Sequence, residues 1–243
     1  MSDTGDDQVA AMDRTDSDDS LVLMTSSLPA AVDFVQETPG DLFDAPNGAA
    51  LIHACNCKGA WGAGIARAFR ERYPAAYEIY RQHCLMYQEQ PVTNTITDLR
   101  DEDPQPTLVV HRPLGTALII PPQQSDFSLH RRRHWIICLF TSVHYGSRRD
   151  SEDMIVNSTF AALQHLSGQL HGLSLQTSDT GNERPHSLYS SRFCTGLFNV
   201  PWDRIRKLIE TVGLHITVYH PFEGSSRRAR PIRMSRASKT SQD

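Results

Sequence analysis

The sequence predicts one three-layer α/β/α domain over residues 32–222, and three observations carry that expectation. Apolar runs of strand length recur at 49–52, 115–121 and 134–140. Runs apolar on both faces suit strands of a sheet covered by helices on each side. Segments of helical spacing alternate with them, at 65–69, 152–166 and 201–213. Two of these helical segments are entered through glycine-bearing loops, at 59–64 and 195–201. Open α/β sheets bind ligands at such strand-to-helix loops.

Length and composition set the outer bounds. A chain of 243 residues holds one sizeable domain or two small ones, and 39 % hydrophobic with 21 % charged residues is ordinary globular usage. No run approaches the roughly 20 apolar residues of a membrane span, and the Asp-rich beginning does not read as a secretory signal. The expectation is a soluble, intracellular protein with no membrane partner. The five cysteines, Cys55, Cys57, Cys84, Cys138 and Cys194, are odd in number and sit mainly in apolar segments. They read as reduced, packed thiols.

The net charge of −4 is unevenly spread. Residues 1–20 hold seven Asp and one Arg, whereas 225–243 hold six Lys/Arg and one Asp. Both ends, 1–31 and 223–243, are poor in hydrophobes and read as disordered. The basic tail is either a solvated terminus or a nucleic-acid contact.

Taken in order, Val32, Phe34 and Val35 begin a strand that Pro39-Gly40 ends. Asp41 caps the short segment that follows. The stretch from Leu51 to Phe69 gives a second strand, a polar small-residue loop and a helix. Its Gly62-Ala63-Gly64 fails the dinucleotide fingerprint, because the third glycine would fall at Arg67. A phosphate site and a tight structural turn both remain open there. Pro74 starts a helix through Tyr77, Tyr80 and Cys84. Residues 88–113 are polar and proline-punctuated, and read as an inserted loop or hairpin. Arg131-Arg132-Arg133 is a basic turn between two strands.

A helix over about 152–166 buries Ile155, Val156, Phe160, Leu163 and Leu166. Residues 168–187, with little apolar content, read as a long loop, and 187–194 as a strand. Pro201 starts a helix lined by Ile205, Leu208, Ile209 and Val212, and Gly213 stops it. His215 to Tyr219 forms the last strand.

These residues carry a signature. Gly40-Asp41-Leu42 is followed by His53-Ala54-Cys55-Asn56-Cys57-Lys58-Gly59-Ala60-Trp61-Gly62-Ala63-Gly64-Ile65-Ala66. Arg72 to Ala76, Cys138 to Ser142, Gly196 to Trp202 and Thr217-Val218-Tyr219 complete it. Together they resemble the macro domain, in particular its fungal ADP-ribose 1''-phosphate phosphatase branch. The resemblance implies a mixed central sheet with ADP-ribose across its crest, and a small-molecule ADP-ribose derivative as substrate. It implies removal of the terminal phosphate of ADP-ribose 1''-phosphate, a by-product of tRNA splicing. By motif position, Gly40 and Asp41 would meet the adenine. Ala54, Cys55 and Asn56, with Trp61, Gly62, Ala63, Gly64, Ile65 and Ala66, would line the distal ribose and pyrophosphate. Cys194, Thr195, Gly196, Leu197, Phe198, Asn199 and Val200 would close over the phosphates. The family usually reads Asn-Ser-Gly-Ile-Phe-Gly-Val-Pro in that last loop. Here Thr195 retains a hydroxyl, and Asn199 is the residue type that best tolerates a left-handed backbone.

Phosphate-ester hydrolysis needs stabilised phosphoryl oxygens, a placed water and a proton for the leaving oxygen. Backbone N–H groups of the two loops suit the first need. Asn56 is the candidate to orient a ribose hydroxyl or a water, with an Asx turn as its structural alternative. His53 is the acid/base candidate because it titrates near neutrality, with a packed core histidine as its alternative, and His144 is a weaker choice. Cys55 and Cys57 lack a second ligand pair and a C-x5-R loop, so neither a metal site nor a thiol nucleophile is expected, and no cofactor. Two rival functions share the pocket: removal of ADP-ribose from modified proteins, and non-catalytic ADP-ribose binding.

Overall fold

The computed structural model describes residues 33–89, 92–96, 107–111, 113–180 and 184–221. The expectations for the charged ends, 1–31 and 223–243, lie outside the described residues.

Six strands form the main sheet: β1 (Val35–Pro39), β2 (Ala50–Asn56), β5 (Ala117–Ile120), β6 (Trp135–Ser142), β7 (Leu188–Ser191) and β8 (Ile216–His220). Their order is β1-β8-β7-β2-β6-β5. Pairing is parallel from β1 through β6, while β5 runs antiparallel to β6, so the sheet is mixed as the resemblance implies. A separate antiparallel pair, β3 (Val92–Ile96) with β4 (Thr107–His111), shows that the polar insertion is a hairpin. Its centre, 97–106, lies outside the described residues.

The helices are α1 (Gly64–Arg72), α2 (Pro74–Glu89), α3 (Gln124–His130), α4 (Glu152–Thr180) and α5 (Trp202–Val212). Strand alternation divides the core. Ala50 and Ile52 of β2 pack with Ile155, Leu163, Leu166, Ile205 and Ile209 of α4 and α5. Leu51 and Cys55 face the other way, against Phe69, Tyr73, Ala76, Tyr80 and Cys84 of α1, α2 and their junction. Layers of helix on both faces explain why β6 is buried at every position.

One expectation needs correction, and one helix was missed. Residues 168–187 are not a long loop, because α4 continues to Thr180. Leu170 and Leu173 keep the spacing of Leu163 and Leu166, and Leu170 packs on the core. Gly168 and Gly172 weaken helix propensity by only about 1 kcal/mol each, which packing overrides. The basic turn at 131–133 follows a helix, α3, that was not anticipated. Asp126 explains its presence: this buried carboxylate accepts from Ala75 N (2.9 Å) and Ala76 N (3.1 Å), capping α2 from a distant segment.

Glu37 joins the first strand to the sheet's other side. Its carboxylate accepts from Trp202 Nε1 at 2.9 Å, from Arg192 Nε at 2.8 Å and from Arg206 at 3.3 Å. Burial alone would raise this carboxyl, but the Trp202 and Arg192 hydrogen bonds and the neighbouring guanidinium charges hold it below its ordinary value of 4.5. His134, between Tyr73 Oη (2.6 Å) and the Ala45 carbonyl (2.9 Å), is pushed below its ordinary 6.5 by burial. Both native-state values are depressed, so the unfolded chain binds more protons on acidification. The stability each group gives is present above its unfolded value and is lost as pH falls through that window. Stability should therefore fall in two stages, below 6.5 through His134 and below 4.5 through Glu37. Urea midpoints across this pH range should show both, and Glu37→Gln should remove the second.

Candidate ligand cleft at the crest of the sheet

The strands that run parallel all end at one crest, and the predicted site residues leave from it. β2 and β7 are neighbours, so the loop 57–63 and the loop 192–201 emerge side by side. They meet in space: a Cβ built on Gly64 would lie 3.5 Å from Leu197 Cδ1. Gly64 has φ +56°, so glycine is required at this contact. Gly62 has open space where a side chain would stand, and no side chain caps α1 at Ala63. The first N–H groups of α1 thus lie at an exposed stretch without a side-chain cap, an arrangement that suits phosphate oxygens.

The second loop is held by its own backbone and side-chain bonds. Cys194 and Asn199 both take left-handed backbone, φ +64° and +57°. Val200 N donates to the Cys194 carbonyl at 3.0 Å and Asn199 N to the Gly196 carbonyl at 3.1 Å. Thr195 Oγ1 donates to the Arg192 carbonyl at 2.6 Å, so its hydroxyl braces the loop. The Cys194 thiol is buried beside Thr159 Oγ1 (3.6 Å), and burial pushes it up to about 12. It is a packed thiol in its protonated form.

At the other end of the crest Asp41 Oδ1 accepts from Phe43 N at 3.0 Å, the capping role, while Oδ2 stands 4.0 Å from Arg72. Tyr219 lies so close to Gly40 that a Cβ there would come within 2.7 Å of its ring. Tyr189 stacks on Tyr219, centroids 5.8 Å apart. Sequence reasoning missed this aromatic pair because parallel pairing of β7 with β8 alone brings the two together.

Asn56 closes its own loop. Nδ2 donates to the Ala60 carbonyl (2.7 Å), and Oδ1 accepts from Lys58 N (2.9 Å) and Tyr80 Oη (3.3 Å). This is the Asx-type alternative. The register of β2 on β6 slips between Cys55 and Asn56, marking where the chain turns toward the groove.

His53 takes its packed-core alternative, and Trp61, expected to line the ligand, is core as well. His53 is fully buried, stacked on Phe69 at 4.1 Å and edge-on to Trp61 at 4.6 Å. It packs beneath the crest with no surface on the groove. Trp61 is 1 % exposed and stacks on Tyr80 at 4.9 Å, so its ring is core and not a cleft wall. Cys55 is also buried, its thiol raised by burial and by Cys138. His53, Cys55 and Cys138 place their ligand-type atoms within 4.8 Å of one another. Yet Cys55 Sγ lies 3.6 Å from both His53 nitrogens. Equal distances set the sulfur between the two nitrogens and off the lone-pair direction of each, a poor geometry for a shared ion.

A third loop, 143–151, rises from β6 beside these two, and only His144 in it was anticipated. Asp150 fixes the loop: its carboxylate accepts from Val143 N (2.8 Å), and its own N–H donates to Ser142 Oγ (3.1 Å). A cavity of about 340 Å³ lies between Arg149 and Asp150 of this loop and Phe198 and Asn199 of the second. A larger one, about 700 Å³, lies at the opposite edge, among Phe34, Leu170, His186 and His215, away from every predicted site residue.

No protein-family model matches the chain. The macrodomain of Mycobacterium tuberculosis DarG superposes with a TM-score of 0.52 at 19 % identity, covering 77 % of this chain and 97 % of that one. Thermosipho africanus DarTG, solved in complex with ADP-ribose, gives a TM-score of 0.53 at 14 % identity over 79 % of this chain and 43 % of that one. The fold is that of a macrodomain. In sequence, the ADP-ribose 1''-phosphate phosphatase of Aspergillus fumigatus is 46 % identical over 199 residues, covering 81 % of this chain and 98 % of that protein. The Aspergillus oryzae phosphatase of the same name is 44 % identical over 200 residues, covering 78 % and 94 %. The Ajellomyces capsulatus one is 36 % identical over 248, covering 77 % and 96 %. The chain belongs to the ADP-ribose 1''-phosphate phosphatase family.

Proposed function

We propose that this protein hydrolyses ADP-ribose 1''-phosphate to ADP-ribose and inorganic phosphate, inside the cell. The observation that carries this is the meeting of the two glycine loops at Gly64 and Leu197, over uncapped N–H groups of α1. A pyrophosphate laid there would have its adenosine toward Asp41 and the Tyr189–Tyr219 pair, and its distal ribose toward Asn56. Water attacks the terminal phosphorus, the bond from phosphorus to the 1'' oxygen breaks, and that oxygen leaves as the anomeric hydroxyl. An anomeric oxygen is a better leaving group than an ordinary alkoxide, which reduces the need for a strong general acid. Electrostatic stabilisation by oriented N–H groups then carries much of the rate.

A second reading is removal of ADP-ribose from modified proteins. Leu197 and Ile65, 62 % and 38 % exposed at the mouth, favour it as an apolar rim for a polypeptide. Side-by-side turnover on ADP-ribose 1''-phosphate and on mono-ADP-ribosylated protein separates the two. The phosphatase reading expects phosphate release to dominate. Faster release of ADP-ribose from protein would favour the second, and tight ADP-ribose binding without turnover of either would leave a binding module.

A further inference from the structure

The cavity between the β6–α4 loop and the second glycine loop has one wall, with Arg149 and Asp150, that the motifs do not assign. We propose that it holds the terminal phosphate of the substrate, with the Arg149 guanidinium as its cation and the Asn199 amide as a second donor. This rests on the phosphatase reading above. With the adenosine toward β1, the far end of the ligand passes β2. The next strand on that side is β6, whose loop supplies Arg149.

Three charged side chains line the cavity, Arg149, Asp150 and Glu152. Among the described residues, Arg149 has no ion-pair partner and is exposed. The two carboxylates on the lining are engaged: Asp150 with Val143 N, and Glu152 with Arg204, which also holds Asp153 at 2.9 Å. Asn199 directs its backbone N–H to Gly196, so its amide side chain is the group left for the cavity. A planar guanidinium matches two phosphate oxygens at once, and its field acts on charge that ADP-ribose itself lacks. Asp150 is a positioning residue here, holding the loop through Val143 and Ser142.

The test compares wild type, Arg149→Ala and Arg149→Lys by kcat/KM on ADP-ribose 1''-phosphate and by calorimetric Kd for ADP-ribose. Arg149→Ala should lower kcat/KM by about tenfold to a hundredfold, the range for losing a charge-assisted hydrogen bond. The Kd for ADP-ribose should move less than about twofold, and Lys should fall between. Unchanged kcat/KM, or an equal loss of ADP-ribose affinity, would overturn the assignment. Absence of turnover by the wild type would instead sink the phosphatase reading. The affinities of the intact ester and of ADP-ribose then decide the pocket alone. A preference for the ester that disappears in Arg149→Ala supports it, and equal affinities for the two ligands in wild type overturn it.

Discussion

Replacing Trp61 by alanine is expected to lower the unfolding free energy by about 3–5 kcal/mol, the cost of emptying a large buried aromatic site. Few positions in the chain carry as much. The indole is 1 % exposed and touches four rings: His53 at 4.6 Å, Tyr80 at 4.9 Å, Tyr77 at 5.4 Å and Phe69 at 6.0 Å between centroids. Removing it leaves Phe69 as the ring stacked on His53 and opens a void under the first glycine loop. A domain of this size is stable by only about 5–15 kcal/mol, so the variant should melt roughly 6–20 °C lower and retain little reserve. Trp61→Phe should cost much less. Among the described residues the indole Nε1 has no hydrogen-bond partner, so phenylalanine forfeits volume but no bond seen there. Thermal melts of the three proteins, with ADP-ribose affinity measured beside them, separate packing from ligand contact. A Trp61→Ala protein of normal stability that no longer binds ADP-ribose would make the ring a wall of the cleft and contradict its placement in the core.

Why the placement of Trp61 and His53 was not legible says something general about the site. Their motif gives chain order around the groove but not which way each side chain points. On β2, alternation sends Leu51, His53 and Cys55 to one face and Ala50 and Ile52 to the other. The register shift after Cys55 then re-aims Asn56. Only the aromatic layer of Phe69, Tyr77 and Tyr80, contributed by helices downstream, makes the His53 face dry. What was legible depends on local physics: continuous apolar runs for strands buried on both faces, Pro201 and Gly213 bounding α5, and asparagine tolerating φ +57° at position 199. What was not legible depends on pairs distant in sequence. Asp126 caps α2 from about fifty residues away. Glu37 gathers Arg192, Trp202 and Arg206 from the other end of the domain. The second half of α4 looked like a loop because its few leucines carry the packing between two glycines. The Arg149 loop shows no motif, because its relation to Asn199 exists only once β6 and β7 flank β2.

Asn56→Ala should abolish most activity, by on the order of a hundredfold or more, through loss of loop shape. The side chain alone bonds the Ala60 carbonyl, Lys58 N and Tyr80 Oη, while Tyr80 Oη also donates to the Asn56 carbonyl at 2.7 Å. Alanine leaves the Ala60 carbonyl and Lys58 N without that partner, while Tyr80 Oη keeps the backbone carbonyl, and each stranded group costs about 1–3 kcal/mol if it stays buried. The loop 57–63 will instead rearrange to hydrate them, and it leads directly into Gly64, where α1 and its uncapped N–H groups begin. A displacement of about 1 Å suffices for a hundredfold loss, because reacting geometry is that exacting. The kinetic pattern identifies the cause. A loop-shape role raises the Kd for ADP-ribose together with the fall in kcat/KM, since bound ligand and transition state use the same N–H groups. A direct catalytic role would lower kcat and leave ADP-ribose affinity intact. Asn56→Asp sharpens the distinction: it keeps the acceptor for Lys58 N but sets a carboxylate oxygen against the Ala60 carbonyl, 2.7 Å from where Nδ2 now donates. If loop closure is the function of Asn56, aspartate should weaken ADP-ribose binding as alanine does, although it retains a polar group at the ribose.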